Sequence, residues 1–257
     1  MEKVILRNPP ILEAIFELRW RLKPLGPMKL DPNYKIAVGR LYDRINAQYP
    51  VYEPLSTADM PQEISGYVIQ HRFRETKDGW PLIQFGPGIA TLNDTKKYGS
   101  WEEFKARIPG LVDALFGAYG GDLHINALTL RYIDSVEFDF DTDDIFKFLS
   151  SNMKIQLKMD DNLFSETDII RKPSVLDLKL SYPCQTPAGV IHLRFARGSV
   201  NDTDALIWET VIQSEQGRIP QAKDEIADVW AKDAHALAHT WFFNTIEGAL
   251  RRRFEHA

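Results

Sequence analysis

Apolar and charged side chains alternate near the start of the chain. Between Ile11 and Lys23 every even-numbered residue is apolar, and most odd-numbered residues are charged. Alternation with a period of two places the apolar side chains on one face of an extended chain. The segment is therefore predicted to be a half-buried β-strand, which the prolines and glycine of residues 24–27 end.

Helical spacing then replaces the alternation. Apolar residues lie three or four positions apart from Tyr34 to Ile45, which predicts a helix. Asp31-Pro32 is typical of a helix start, with Asp31 as the N-cap. Strand-like segments follow at residues 67–75, 80–85 and 89–93.

A second helix is predicted from Ser100, which has Glu103 three residues later, as in a capping box. Its apolar residues continue to Leu115, and Pro109-Gly110 within it predicts a kink or a break.

The second part of the chain repeats this order of elements. Apolar residues alternate from Leu128 to Phe140, which predicts a long strand. Helices are predicted at residues 145–150 and 222–254, and the strands between them at residues 175–182, 190–197 and 205–214. Residues 153–173 are polar and predict a loop. Asp141 or Asp143 is expected to cap the first of these helices.

Each half thus has the order strand, helix, three strands, helix, and the join lies near Gly120-Gly121. We expect an α+β protein in which helices cover one face of an antiparallel sheet. The predicted halves are residues 1–121 and 122–257, and a pseudo-duplication is the hypothesis. The halves share an order of elements and no convincing sequence repeat.

The stretch Phe85-Gly86-Pro87-Gly88 raises the question of a phosphate loop. Such a loop leads from a strand into a helix, and its backbone N–H groups contact the anion. Here the β-branched, alternating segment at residues 89–93 follows, and proline removes one N–H donor. A Pro-Gly pair suits the centre of a type II turn, so a hairpin is predicted.

Composition and charge narrow the possible functions. The 257 residues carry a net charge of −5, which argues against nucleic-acid binding over the whole surface and leaves a local basic patch possible. Cys184 is the single cysteine, which excludes an intramolecular disulfide and fits a reducing compartment. The N-terminus has no signal-peptide pattern and the chain no run of about 18 apolar residues. We therefore expect a cytoplasmic protein with no membrane association.

Basic residues recur on the strand faces opposite the apolar side chains. If the strands form one sheet, its open face would be lined by Arg19, Arg21, Arg72, Arg74, Arg131, Lys179 and Arg194. Such a face can bind phosphates or single-stranded nucleic acid. The alternative is an ion-paired solvent face, since Glu13, Glu17, Glu137, Asp177 and Glu209 can pair with these cations across strands.

Other residue types capable of chemistry are isolated in the sequence. His235 and His239 share a helix face, but Ala236 stands where the zinc-protease pattern has a glutamate. Cys184 lies in a predicted turn without an evident base. Asp134 falls on the apolar face of its strand, where a buried carboxylate demands a partner, expected to be an arginine or backbone N–H groups. The acidic stretch at residues 137–144 lacks the glycine and closing glutamate of an EF-hand loop.

Several short motifs resemble those of a sporadically distributed family of uncharacterised bacterial proteins of similar length. They are Pro9–Ala14, Tyr98–Phe104, Leu130–Asp134, Ala234-His235 and Phe242–Ile246. The resemblance covers nearly the whole chain, and it implies no established activity. The sporadic distribution implies mobile-element or defence-linked genes, and the pattern includes His235 without His239, which disfavours a metal pair.

We therefore expect a non-catalytic binding or interaction protein that needs no cofactor or metal. Its partner is expected to be a second copy or another protein, contacted through aromatic helix faces. Binding of nucleic acid or a phosphate ligand by the arginine-lined face is the alternative. An enzyme with a site assembled from distant residues is the third hypothesis.

Overall fold

The computed structural model describes residues 6–95 and 99–255, with the backbone alone of Asp122. Two sequence predictions fall partly outside the described residues. The signal-peptide expectation depends in part on residues 1–5, and one resemblance motif begins at Tyr98. Within the described residues, the strands are β1 (Ile11–Trp20), β2 (Lys23–Leu25), β3 (Met28–Leu30), β4 (Val51–Pro54), β5 (His71–Arg74), β6 (Leu82–Gly86), β7 (Ile89–Thr95), β8 (Ile125–Glu137), β9 (Asp177–Gln185), β10 (Ala188–Val200) and β11 (Thr203–Ser214).

Six α-helices accompany the strands in the described residues. They are α1 (Tyr34–Ile45), α2 (Trp101–Lys105), α3 (Ile108–Tyr119), α4 (Ile145–Asn152), α5 (Ala231–Ile246) and α6 (Ala249–Glu255). A π-helical segment, Glu225–Trp230, leads into α5. Short 3-10 turns lie at Ser56–Asp59, Gly120–Asp122 and Asp161–Leu163.

Nine strands form one antiparallel sheet in the order β4-β5-β6-β7-β1-β8-β11-β10-β9, and β2 and β3 form a separate hairpin. Helices pack against the apolar face of this sheet, with α3 against β7 and α5 against β8 and β11. The predicted α+β class with an antiparallel sheet is therefore confirmed.

The order of the strands is mirrored about the central pair β1–β8. The strands β7, β6, β5 and β4 follow on one side, and β11, β10 and β9 on the other. The first half thus has four strands after α1 instead of three, because Val51–Pro54 pairs with β5. The equivalence of the halves, and their bounds at residues 1–121 and 122–257, stay predictions.

The core lies between the sheet and the helices. Phe16 of β1, Phe195 of β10 and Trp208 of β11 are buried on the apolar face. The ring of Phe16 lies 6.3 Å from that of Trp230 in the π-helical segment. Burial of each such side chain contributes about 2–3 kcal/mol, so the alternation in the sequence determines which face the helices cover.

The glycine-proline-glycine stretch is a hairpin turn, as predicted. Gly86 pairs with Ile89, and Pro87 and Gly88 occupy the turn between β6 and β7. Gly88 has φ +81°, which an L side chain rarely adopts. A Cβ on Gly86 would lie 2.0 Å from the carbonyl oxygen of Val68, so a neighbouring segment passes directly over the turn.

Asp31 does not cap α1, contrary to the prediction. Asn33 is at the N-cap without a side-chain cap bond. The Asp31 carboxylate is buried and accepts hydrogen bonds from Trp20 Nε1 at 2.9 Å and from the Tyr119 hydroxyl at 2.6 Å. The backbone N–H of Gly88 also donates to it, at 3.3 Å. Asp31 therefore joins β1, α3 and the turn.

Two helix boundaries also differ from expectation. The break between α2 and α3 falls at residues 106–107, and Pro109 lies in the first turn of α3, where its missing N–H costs nothing. Asp144, rather than Asp141 or Asp143, caps α4 by accepting from the backbone N–H groups of Phe146 and Lys147. None of the helices in residues 6–95 and 99–255 has the length and apolar character needed to cross a membrane.

Candidate functional site: a cavity beneath the terminal helix

A cavity of about 390 Å³ lies between the sheet and α5. Its floor is formed by β8 and β11, and its walls by α5, the start of α2 and the segment before β1. The lining residues are mostly apolar: Leu6, Pro9, Pro10, Ile11, Gly99, Ser100, Trp101, Glu102, Tyr132, Asp134, Thr210, His235, Ala238, His239, Phe242 and Phe243. Segments far apart in the sequence thus build one site.

Asp134 supplies a buried carboxylate to this cavity. It lies opposite Trp208 on the helix-covered face of the sheet and is 4% exposed. No hydrogen bond or ion pair from the described residues reaches its carboxylate. Desolvation raises the pKa of Asp134 to about 8, because burial disfavours the charged form. The arginine or backbone partner expected from the sequence is not among the described residues.

Thr210 is a second polar residue on the cavity floor. It pairs with Tyr132 across β11 and β8 and is 3% exposed. Its hydroxyl likewise has no hydrogen-bond partner within the described part of the chain. Because Trp208 is opposite Asp134, Thr210 and Asp134 are diagonal neighbours on adjacent strands, which places their Cβ atoms roughly 5–8 Å apart.

His235 lies on α5 and is fixed by two contacts. Its Nδ1 is hydrogen-bonded to the Tyr132 hydroxyl at 2.9 Å, and its ring stacks on Trp101 with centroids 4.0 Å apart and planes 6° apart. Burial, and to a smaller extent the nearby His239, lower the pKa of His235 to about 3. His235 is therefore neutral at pH 7 and serves as part of the wall.

Acidic side chains are the charged groups that the described residues contribute to the cavity lining. These lining residues include two acids, Asp134 and Glu102, and within residues 6–95 and 99–255 no lysine or arginine lines the cavity. The second histidine, His239, packs on Phe243 with ring centroids 4.6 Å apart, and burial lowers its pKa. An anionic group placed here would meet no formal cation of the lining.

The arginines of the open sheet face lie outside this cavity. On the β4–β5 side, Arg74 is 3.0 Å from Glu53 and Arg72 is 3.8 Å from it. On β1, Arg19 is 2.8 Å from Glu17. Each of these arginines thus has a carboxylate within ion-pair distance.

A longer ladder of charges crosses β8, β11, β10 and β9. Arg131 is 2.6 Å from Glu209, and Glu209 is 3.2 Å from Arg194. Arg194 is 2.8 Å from Asp177, which Lys179 approaches at 3.1 Å. The structure therefore brings Arg131 and Arg194 together, with carboxylates between them.

The arginines do not converge in one groove. Arg72 and Arg74 lie on β5, four strands from Arg131 on β8, which corresponds to roughly 19 Å. Arg21 follows β1, is exposed, and has no ion-pair partner among the described residues. The open face therefore presents separate ion-paired groups.

The other candidates from the sequence are also located. Cys184 lies near the end of β9, its Sγ contacts the Pro187 carbonyl at 3.2 Å, and burial raises its pKa, which disfavours the reactive thiolate. His192 of β10 contacts Ser181 at 2.8 Å and Gln213 at 3.2 Å rather than Cys184. No group of three His, Cys, Asp or Glu side chains able to hold a metal ion occurs in the described part of the chain.

No protein-family model matches the chain, and no curated protein matches it. Among solved structures, it is similar to a rolling circle replication initiator protein from Geobacillus stearothermophilus, at 11% identity and a TM-score of 0.29, over 97% of this chain and 92% of that one. It is also similar to the di-domain ARO/CYC BexL from the BE-7585A biosynthetic pathway, at 12% identity and a TM-score of 0.22, over 95% and 99% of the two chains. TM-scores this low carry no argument about fold or function.

The segments that carry the family resemblance meet at the cavity. Residues 9–11, 99–102, 132, 134, 235 and 242–243 all contribute to its lining. Asp134 and His235 are about one hundred positions apart in the sequence, and no local pattern predicted that they share a site. The signal that could have found the site is the spread of these short motifs over otherwise unrelated segments.

Proposed function

We propose that the protein is a non-catalytic binding protein whose ligand is a small, largely apolar molecule held in the cavity beneath α5. The observation that carries this proposal is Asp134, which is 4% exposed, lines the cavity and has no partner among the described residues. A volume of about 390 Å³ lies in the range of small-molecule sites.

The energetics of the cavity floor support binding. A buried polar group without a hydrogen-bond partner costs about 1–3 kcal/mol. Asp134 and Thr210 are 4% and 3% exposed, both face the cavity, and neither has a hydrogen-bond partner among the described residues. A ligand that bonds to both would recover this energy, and its apolar part would be covered by Phe242 and Phe243.

Binding without chemistry is favoured over catalysis. Among the lining residues, the Ser100 hydroxyl is engaged as the cap of α2, accepting from the backbone N–H of Glu103 at 3.3 Å. No cysteine lines the cavity, and His235 is held by Tyr132 and Trp101. A nucleophile beside a free base is the arrangement that covalent catalysis needs.

The test is thermal unfolding with a panel of small apolar compounds that carry one polar group. Ala238→Phe fills the cavity from α5, because Ala238 lines it and is 2% exposed. Ala236→Phe is the matched control, since Ala236 is exposed on the same helix. Compounds should raise the Tm of the wild type and of the control and leave the filled variant unchanged.

The proposal is wrong if no compound stabilises the wild type, or if a stabilising compound acts equally on the filled variant. Circular dichroism is the control that checks whether the Ala238→Phe variant folds. Thr210→Val is a second variant that removes a polar group of the floor at nearly constant volume.

Binding of nucleic acid or a phosphate ligand by the open sheet face is the second candidate. The observation in its favour is the β8–β9 ladder, which has three cations, Arg131, Arg194 and Lys179, and two carboxylates. Fluorescence anisotropy of labelled single-stranded oligonucleotides at low salt tests it. Salt-dependent binding that Arg131→Ala and Arg194→Ala abolish would support it, and no salt-dependent signal would end it.

Self-association, a protein partner and a link to mobile-element or defence functions are further proposals. Aromatic side chains on α5, such as Trp241 and Phe242, are partly exposed and support a contact there. Sedimentation of the purified protein as a monomer would remove self-association. The free thiol of Cys184 supports a cytoplasmic location.

A further inference from the structure

We infer that the ligand of the cavity carries a positively charged nitrogen on an apolar body, as a primary or secondary amine does, and that this nitrogen pairs with Asp134. The inference rests on the proposed function and specifies the class of ligand. It follows from the charges of the lining, the position of Asp134 and the neutrality of His235.

The charged residues of the lining indicate which sign of charge the ligand carries. Among the described lining residues, the side chains that can carry a formal charge at neutral pH are the acids Asp134 and Glu102. A carboxylate or phosphate ligand would therefore enter a weakly polar cavity without a counter-ion, which is strongly unfavourable. A cationic group would instead meet the Asp134 carboxyl, which becomes its counter-ion when the carboxyl proton is released.

The position of Asp134 determines where the cation binds. Its carboxylate lies on the floor at 4% exposure, with the Thr210 hydroxyl on the neighbouring strand. An ammonium group has three N–H donors. Two of them can be taken by the Asp134 oxygens and one by Thr210, which satisfies both polar groups at once.

The apolar body of the ligand is held by the walls. Phe242 and Phe243 lie on α5, with ring centroids 5.2 Å apart and planes at 90°. They line the cavity with Trp101, whose ring is stacked on His235. Aromatic faces attract both apolar groups and cations.

Binding of the amine should be coupled to proton release. Burial raises the pKa of Asp134, so the carboxyl is largely protonated at pH 7. When an ammonium group pairs with it, the carboxyl proton passes to the buffer and the carboxylate remains. The other titratable groups that line the cavity are Tyr132 of β8, Glu102 of α2, and His235 and His239 of α5, and burial keeps both histidines neutral.

The test compares three probes with one phenyl body: 2-phenylethylamine, 2-phenylethanol and 3-phenylpropanoate. Isothermal titration at pH 7 should show the amine binding on the order of tenfold more tightly than the alcohol, and the acid most weakly. Titrations in two buffers of different ionisation enthalpy should show protons released by the amine alone. Asp134→Asn should remove the preference for the amine and the proton release, so that the amine and the alcohol bind with similar affinity.

The outcomes separate this inference from the proposed function. If the alcohol or the acid binds as tightly as the amine, and Ala238→Phe blocks it, the cavity is a binding site and the cationic ligand is wrong. The same conclusion follows if Asp134→Asn keeps the preference for the amine. If none of the three probes binds, both the proposed function and the inference fall. Thr210→Val, which should weaken the amine by a smaller factor, gives a second measurement if Asp134→Asn does not fold.

Discussion

The two faces of the sheet hold their charged groups in different ways. On the open face, Arg131, Glu209 and Arg194 are partly exposed and bonded to one another across strands. On the helix-covered face, Asp134 stands at 4% exposure with no partner in the described residues. Exposed ion pairs contribute about 0–1 kcal/mol each, whereas a buried group without a partner costs more. Ligand binding therefore has more free energy to gain on the helix-covered face, although that face has fewer charges.

The largest expected effect is the pH dependence that Asp134 causes. Its pKa is raised to about 8 in the folded protein and is about 3.9 in the unfolded chain. Between these values the folded state holds a proton that the unfolded state has lost, so the free energy of unfolding falls as pH rises from about 4 to 8. The decline should be on the order of 5 kcal/mol, and Asp134→Asn should remove it.

Urea unfolding at several pH values from 4 to 9 measures this effect. Glu137→Gln is the control, because Glu137 is an exposed carboxylate at the end of the same strand. The lowered pKa of His235 gives a pH dependence of the opposite sign. The stability that the neutral histidine contributes is lost as pH falls below about 6.5. Equal curves for wild type and Asp134→Asn would show that Asp134 is ordinarily solvated or paired.

The next effect concerns Glu209, which holds the ladder of the open face together. Its side chain is 14% exposed and bonds to Arg131 and Arg194. Glu209→Gln should lower the free energy of unfolding by about 1–2 kcal/mol, because two arginines lose one charged acceptor. Glu215→Gln, in an exposed pair with Arg218, should change it by less than about 0.5 kcal/mol.

Glu209→Gln also tests whether the open face of the sheet binds nucleic acid. Loss of the Glu209 charge raises the net positive charge of the ladder, so any binding of single-stranded oligonucleotides at low salt should increase. An increase in anisotropy for Glu209→Gln over wild type would give the open face a role. Unchanged signals near zero for both proteins would leave the open face as an ion-paired surface.

The smallest effect is expected at Arg21. It is exposed, and no ion pair ties it to the described residues. Arg21→Ala should change the free energy of unfolding by less than about 0.5 kcal/mol, and added salt should not alter that difference. A loss above 1 kcal/mol in urea unfolding would reveal a contact that the geometry of the described residues lacks.

Local patterns predicted most strands because alternation depends only on neighbouring residues. The alternating segment of β1 and the even positions of β8, such as Leu128 and Leu130, do face the core. The strand β4 was missed because four residues that end in proline show no clear alternation. Asp31 was misassigned because an Asp-Pro pair at a helix start has the same appearance whether the carboxylate caps or is buried.

The cavity could not be predicted from the sequence because its parts meet only through long-range pairing. Asp134 and Thr210 come together because β8 pairs with β11, which lies over seventy positions later in the chain. The sequence did indicate that Asp134 faces the apolar side. It could not show that the expected partner is absent from the described residues, because that depends on which side chains of α5 line the cavity beside Asp134.

The two strands at the ends of the sheet have a consequence for the behaviour of the protein at high concentration. The edge strand β4 has four residues and ends in Pro54, and the edge strand β9 contains Pro183 together with Asp177 and Lys179. Proline removes a backbone donor, and charged side chains oppose the docking of a flat neighbour. Growth of the sheet from molecule to molecule is thereby hindered at both ends, which protects a wide antiparallel sheet from fibrous aggregation.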